Sequence, residues 1–200
     1  SNVTDMEGLF YKMKDFNEDI LAWNTSKVEN MSSMFENTDS FDKALNNWDV
    51  SKVKTMKNMF RGAISFNQPL NKWNVSEVMD MEEMFEAAYK FNQNINSWNV
   101  SKVKNMSYMF NSAKEFNQPL DKWNVSNVED MTCMFRYTEK FNQPLNSWNV
   151  SKAKYMEEMF YEAESFNQDL SMWKVQRITD TSNMFVGSPL ENREPKWEGQ

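Results

Sequence analysis

A unit of 25 residues recurs along this chain without insertion or deletion, and no other feature restricts the fold so tightly. The segment FNQPLNKWNVSEVMDMEEMFEAAYK (66–90) returns as FNQPLDKWNVSNVEDMTCMFRYTEK (116–140). Serine falls at 1, 26, 51, 76, 101, 126 and 151, and tryptophan at 23, 48, 73, 98, 123, 148 and 173. Fixed-period self-similarity marks a solenoid, in which each unit buries its apolar face only against its neighbours. The copies also serve as an internal alignment. All 15 phenylalanines fall in two columns, and 14 of the 17 methionines in two more. Large apolar residues held to fixed columns describe a core. The six tyrosines (11, 89, 108, 137, 155, 161) lie outside those columns and describe a surface.

Within one unit, Val103, Met106, Met109, Phe110 and Ala113 cover an arc of about 120° at helical pitch, which predicts a short amphipathic helix with Ser101 as its N-cap. Farther on, Trp123 and Val125 alternate with Asn124. With Pro119 excluded from a ladder, a short strand is expected over 122–125, or one step earlier around Leu120. The expected fold is therefore α/β: a leucine-rich-repeat-like solenoid with short parallel strands on one side and short helices on the other. The Asn/Asp columns at 17–167 and 24–149 are expected to hydrogen-bond the turn backbone between units. The repeat loses phase after 187, so residues 1–187 read as the solenoid and 188–200 as a C-terminal capping segment. Ser1 already falls inside a unit, which makes a fragment of a longer array the expected origin of the chain.

Composition removes several function classes. The chain has no histidine and one cysteine, which leaves out histidine-based triads, His-rich zinc sites and an internal disulfide. A net charge of -7 argues against nucleic acid, and no apolar run approaches the length of a membrane span. No catalytic, cofactor-binding or metal-binding residue emerges. The Met-x-x-Met pairs resemble soft-metal ligands, but on a repeated inner face they read as core filler. The tryptophan column reads as a core ladder rather than a sugar-stacking platform, and Cys133 as an exposed thiol without function. Glu82 and Glu83, adjacent in sequence, read as solvated surface.

The pattern FNQPLNxWNVSxVxxMxxMF, closed by SPLENREPKW, resembles the repeat of the BspA-like leucine-rich-repeat surface proteins, a bacterial family long catalogued as a domain of unknown function. That resemblance implies a cell-surface or secreted, lipoprotein-like protein of adhesive character. It supplies no functional residue to carry over.

The variable columns hold what remains. Unit starts alternate in sign, Lys52 and Lys54 against Glu77 and Asp80, then Lys102 and Lys104 against Glu129 and Asp130, which predicts ion pairs between neighbouring turns. Tyr108, Tyr137, Tyr155 and Tyr161 mark a candidate partner-contact patch, since tyrosine is enriched in interfaces. The expected function is a non-enzymatic, monomeric binding or adhesion module for a protein or glycan partner. An intracellular interaction scaffold and a purely structural spacer are the alternatives, and a carbohydrate-hydrolysing domain would require a carboxylate pair in a cleft.

Overall fold

The computed structural model describes residues 2–197. Ser1, head of the serine column, and 198–200, the end of the expected capping segment, lie outside the described residues. The chain winds as a stack of 25-residue coils. Isolated parallel bridges tie Asp5 to Asn30, Asn30 to Thr55, and so on in steps of 25 to Asp180. Phe, Met, Trp, Val and Leu/Ile columns run through the middle as one buried core, with the phenylalanines from Phe35 to Phe166 fully enclosed.

Neither the expected helices nor the expected strands form: among the described residues there is no helix, and β pairing is confined to the single-residue bridges. The α/β, leucine-rich-repeat-like reading is therefore wrong. The run after Ser101 is a chain of overlapping four-residue turns. Met109, Asn111 and Ala113 donate N–H to the carbonyls of Met106, Tyr108 and Phe110, three residues back. The alternate amides of Met106, Tyr108, Phe110 and Ser112 instead point sideways and bond the carbonyls of Asp130, Thr132, Met134 and Arg136 on the next coil, at 2.8–3.0 Å. Turns that advance three to four residues place apolar side chains on one side just as a helix does, so periodicity alone does not separate the two.

Coil spacing does separate them. Packed helices need 8–10 Å between axes. Here successive rings of the first phenylalanine column lie only 5.4–5.8 Å apart, Phe35 to Phe60 for instance at 5.4 Å. A helix in every coil would not fit that step. The spacing also grows across the coil. From a parallel-bridge distance of ~4.8 Å it widens through the phenylalanines to 6.3–6.5 Å along the tryptophans 73 to 173. The coils thus splay about the bridged run, which forms the inner edge of the curve.

At the outer edge, backbones stand too far apart for a ladder, and side chains span the gap. Asn92 N–H donates to Asn67 Oδ1, Asn117 N–H to Asn92 Oδ1 and Asn142 N–H to Asn117 Oδ1, each at 3.0 Å. Gln93, Gln118 and Gln143 reach back to the same asparagines. Lys122 N–H, inside the expected strand, is taken by Asn96 Oδ1 at 3.1 Å, so no strand forms there. The second asparagine column works within its own coil: Asn99 Oδ1 accepts from Ser101 N–H at 3.1 Å, which makes Ser101 part of a tight turn and not a helix cap. Each buried indole closes the same gap, as Trp98 Nε1 donates to Leu70 O at 3.0 Å and Trp123 Nε1 to Ile95 O. Past the phase break, Trp197 continues that ladder, stacking 6.4 Å from Trp173 and donating to Leu170 O at 2.9 Å.

The turn run requires a left-handed residue at two positions of every coil. One column runs Gly8, Ser33, Asn58, Glu83, Tyr108, Cys133, Glu158, Asn183. The other runs Lys12, Asn37, Gly62, Ala87, Ser112, Tyr137, Glu162, Gly187. Thirteen of these are not glycine and carry φ of 52–60°, a conformation that costs an L-residue about 1–2 kcal/mol. Two expectations follow. Ala87→Gly, at φ 52°, should raise stability by about 0.5–1 kcal/mol in urea unfolding, while Ala88→Gly, buried one residue later, should lower it by about 1 kcal/mol or more; equal effects would discount the turn geometry. Trp98→Phe should cost about 1–3 kcal/mol, since it removes the indole's hydrogen bond to Leu70 O and part of a fully packed ring, while Leu70 O keeps the N–H of Trp73. The same change at Trp23, 40% exposed on the first coil, should cost under about 1 kcal/mol.

Candidate functional site: the turn face

Core columns barely vary from coil to coil, so chemical variety is left to the exposed positions between them. On the bridged run those positions pair across coils with an offset of 24 or 25 residues, because each sideways amide bonds a carbonyl 24 residues on. Side chains far apart in sequence become neighbours in this register. Two clusters result.

The first centres on Arg61. Its guanidinium lies 3.3 Å from Glu36 on the preceding coil and 3.0 Å and 3.1 Å from Glu86 and Glu83 on the following one. Glu83, partly buried and hydrogen-bonded to Glu86, has its carboxyl pushed up to about 7 by burial first and by its acidic neighbours second, against the opposing pull of Arg61. The sequence reading of Glu83 as plain solvated surface fails here, because it left out the neighbouring coils.

The second cluster gathers three of the four candidate tyrosines. Tyr137 N–H bonds Tyr161 O at 2.9 Å, and this register sets the two rings edge to face at 5.6 Å. The Arg136 guanidinium covers both, 4.7 Å from the Tyr137 ring centre and 5.4 Å from that of Tyr161. Its Nε lies 2.9 Å from Glu158 Oε2 without the alignment of a hydrogen bond. Glu158 also meets the Cys133 thiol at 3.9 Å. Cys133 is buried, not exposed as its place in a variable column suggested, and burial pushes its thiol up. Tyr108 is pushed up to about 12 by its hydrogen bond with Cys133 and by burial. Tyr108, Tyr137 and Tyr161 thus join through Cys133, Glu158 and Arg136. Tyr155 sits on the bridge column, 48% exposed, with no ring pairing to the others.

Burial pushes the thiol up, and the hydrogen bond with Cys133 pushes the phenol up, so what this cluster offers first is contact area and hydrogen bonds. Tyr137 is its most open ring, 41% exposed. Arg136, the hub, was missed in the sequence. The available signal was its column, where Arg61 stands three coils earlier, read together with the coil-to-coil offset. The expected pairing of alternating charges does occur one coil apart, in Lys54–Glu29, Lys57–Glu82, Lys102–Glu77 and Lys154–Glu129, at 2.6–2.8 Å. Among the described residues no three His, Cys, Asp or Glu side chains gather to hold a metal ion, and no helix is long and apolar enough to cross a membrane.

Comparison with known proteins adds a family and little else. No curated protein and no solved structure is detectably similar to the chain. One family description, "Mycoplasma protein of unknown function, DUF285", matches twice, over residues 1–98 and 85–197. Those two matches span the coils and the ladder that Trp197 completes, and the chain belongs to this uncharacterised family of repeat proteins.

Proposed function

We propose that the chain is a non-enzymatic binding module, displayed at the cell surface or secreted, whose solenoid presents the turn face to a protein or glycan partner. The observation that carries this reading is the division of labour between columns. Core and ladder columns repeat almost unchanged, while the exposed positions of the turn run vary along the array and assemble, around Arg136, an aromatic and cationic patch. Tyrosine and arginine, held rigid and part-exposed, are the residue types that dominate interface energetics. Location at the cell surface, and adhesion as the purpose of binding, are supported by the resemblance of the repeat to BspA-like surface proteins. A solenoid spreads its surface rather than folding it into a pocket, which suits recognition better than catalysis.

The purified chain, probed against glycan and host-protein arrays, is expected to show saturable binding to at least one ligand. Tyr137→Ala with Tyr161→Ala should then weaken that ligand by about 1–3 kcal/mol, roughly five- to 150-fold. If every ligand that binds saturably binds the double variant as tightly as the parent, the turn face is removed from the account. No saturable binding on any array would make the chain a spacer.

A further inference from the structure

The outer edge of the last coils carries a feature that the turn face does not explain. A shallow groove of about 510 Å³ is bounded by Met172, Trp173, Lys174, Gln176 and Lys196. A second, of about 300 Å³, shares Lys174 and Gln176 with it and adds Lys152 and Arg177. The two therefore adjoin along Lys174 and Gln176. No carboxylate lines either, in a chain whose net charge is -7. Among the described residues, Lys174, Arg177 and Lys196 have no carboxylate within 4.0 Å, and Lys152 Nζ bonds a neutral partner, Asn127 Oδ1, at 2.6 Å. Seven lysines, Lys54 and Lys102 among them, make ion pairs with neighbouring coils among the described residues; these four cations do not.

The repeat itself shows that this lining is a departure. The column of Lys174 is otherwise Asn or Asp, at 24, 49, 74, 99, 124 and 149. Gln176 stands where the preceding coils have serine, and Met172, 70% exposed, where the coil before has Ser147. Two departures from near-uniform columns, Lys174 and Gln176, and the exposed Met172 in a column that already varies through Ala22, Lys72 and Lys122, give this edge a cationic lining beside one apolar side chain.

We propose that this groove binds an acidic polysaccharide, a sugar chain bearing carboxylate or sulfate groups. The four cations would pair with the acid groups. The Gln176 amide, which makes no side-chain hydrogen bond among the described residues, suits hydroxyls that both donate and accept. Met172 offers a polarizable apolar surface to the C–H face of a sugar ring. Other polyanions fit less well. A single-stranded nucleic acid needs an open aromatic face on which bases stack, and the one aromatic ring in the lining, Trp173, is 3% exposed. An extended acidic peptide needs free backbone groups along an edge, and here Met172 N–H is held by Asn146 Oδ1 at 3.0 Å and Trp173 N–H by Leu170 O at 3.1 Å. The proposal rests on the reading of the chain as a binding module but uses none of the turn-face residues.

The test measures binding of the full chain to polygalacturonate and to heparin, with dextran, polyglutamate and a single-stranded oligonucleotide as comparisons. The variant is Lys174→Asn with Arg177→Asn. Both replacements copy residues already present in equivalent positions, Asn149 and Asn127, so the coil keeps its own solutions. At least one acidic polysaccharide should bind saturably, dextran should not, and the variant should bind about tenfold more weakly. Stronger binding of heparin assigns the sulfate, of polygalacturonate the carboxylate. Affinity should fall steeply with added salt. The proposal is overturned if neither polysaccharide binds, if the variant binds as well as the parent, or if polyglutamate or the oligonucleotide binds as tightly as the sugars. Tyr137→Ala with Tyr161→Ala should leave polysaccharide binding unchanged. Loss of polysaccharide binding alone thus removes this groove, and loss of tyrosine-dependent capture alone removes the turn-face reading.

Discussion

The distance between one coil and the next governs this molecule. At the bridged run it is short enough for backbone amides to bond directly across coils, and at the tryptophan ladder it has opened to 6.3–6.5 Å. Three kinds of connection follow in order across each coil. Backbone hydrogen bonds hold the inner edge, stacked phenylalanine rings fill the middle, and asparagine, glutamine and indole side chains bridge the outer edge. The abundance of asparagine outside is a consequence of that geometry: a side-chain amide adds the reach that a carbonyl on the main chain lacks at this spacing.

The same constraint has a conformational cost. Alternating sideways and local amides demand a turn with φ > 0 at two places in each coil, yet only three of the sixteen such positions are glycine. A glycine-rich repeat would meet the demand more cheaply but would leave nothing to display. Tyr108, Tyr137, Glu83 and Cys133 all occupy left-handed positions, so the strained columns are also the ones that carry the turn-face chemistry. Strain of this kind persists where the surroundings over-determine the backbone, and here the sideways amide of every strained residue before the last coil provides that restraint, as in Tyr108 N–H to Thr132 O at 2.8 Å.

Much of this was legible in the residues. The 25-residue period gave the solenoid, the fixed columns gave the core, and the Asn/Asp column at 17–167 gave a side-chain ladder between coils. The local structure was not legible. Val103, Met106, Met109, Phe110 and Ala113 satisfy a helix and a run of tight turns equally well, and only the coil spacing, a tertiary quantity, distinguishes them. The tyrosine patch was half legible for the same reason. Residue type singled out Tyr108, Tyr137, Tyr155 and Tyr161, but the 24-residue register that sets Arg136 over the rings of Tyr137 and Tyr161 and leaves Tyr155 apart is set by hydrogen bonds that no column displays. Lys174 and Gln176 are visible as departures from their columns, but that they share one surface with Lys152, Arg177 and Lys196 follows only from the fold.

An array whose units are interchangeable in their interior separates stability from recognition more fully than a globular domain does. Each coil is held by contacts to its neighbours alone, so an exposed position can change without disturbing a distant core. That freedom explains why both clusters of unusual chemistry sit where coils meet solvent, and why both span two or more coils. A single coil is too thin to hold a ligand, whereas the offset of 24 or 25 residues lets adjacent coils supply one site from separate stretches of sequence. Arg136 with Tyr161, and Lys152 with Arg177, are such pairs. Recognition in a fold of this kind is therefore written across the repeat, in the register between units, rather than along it.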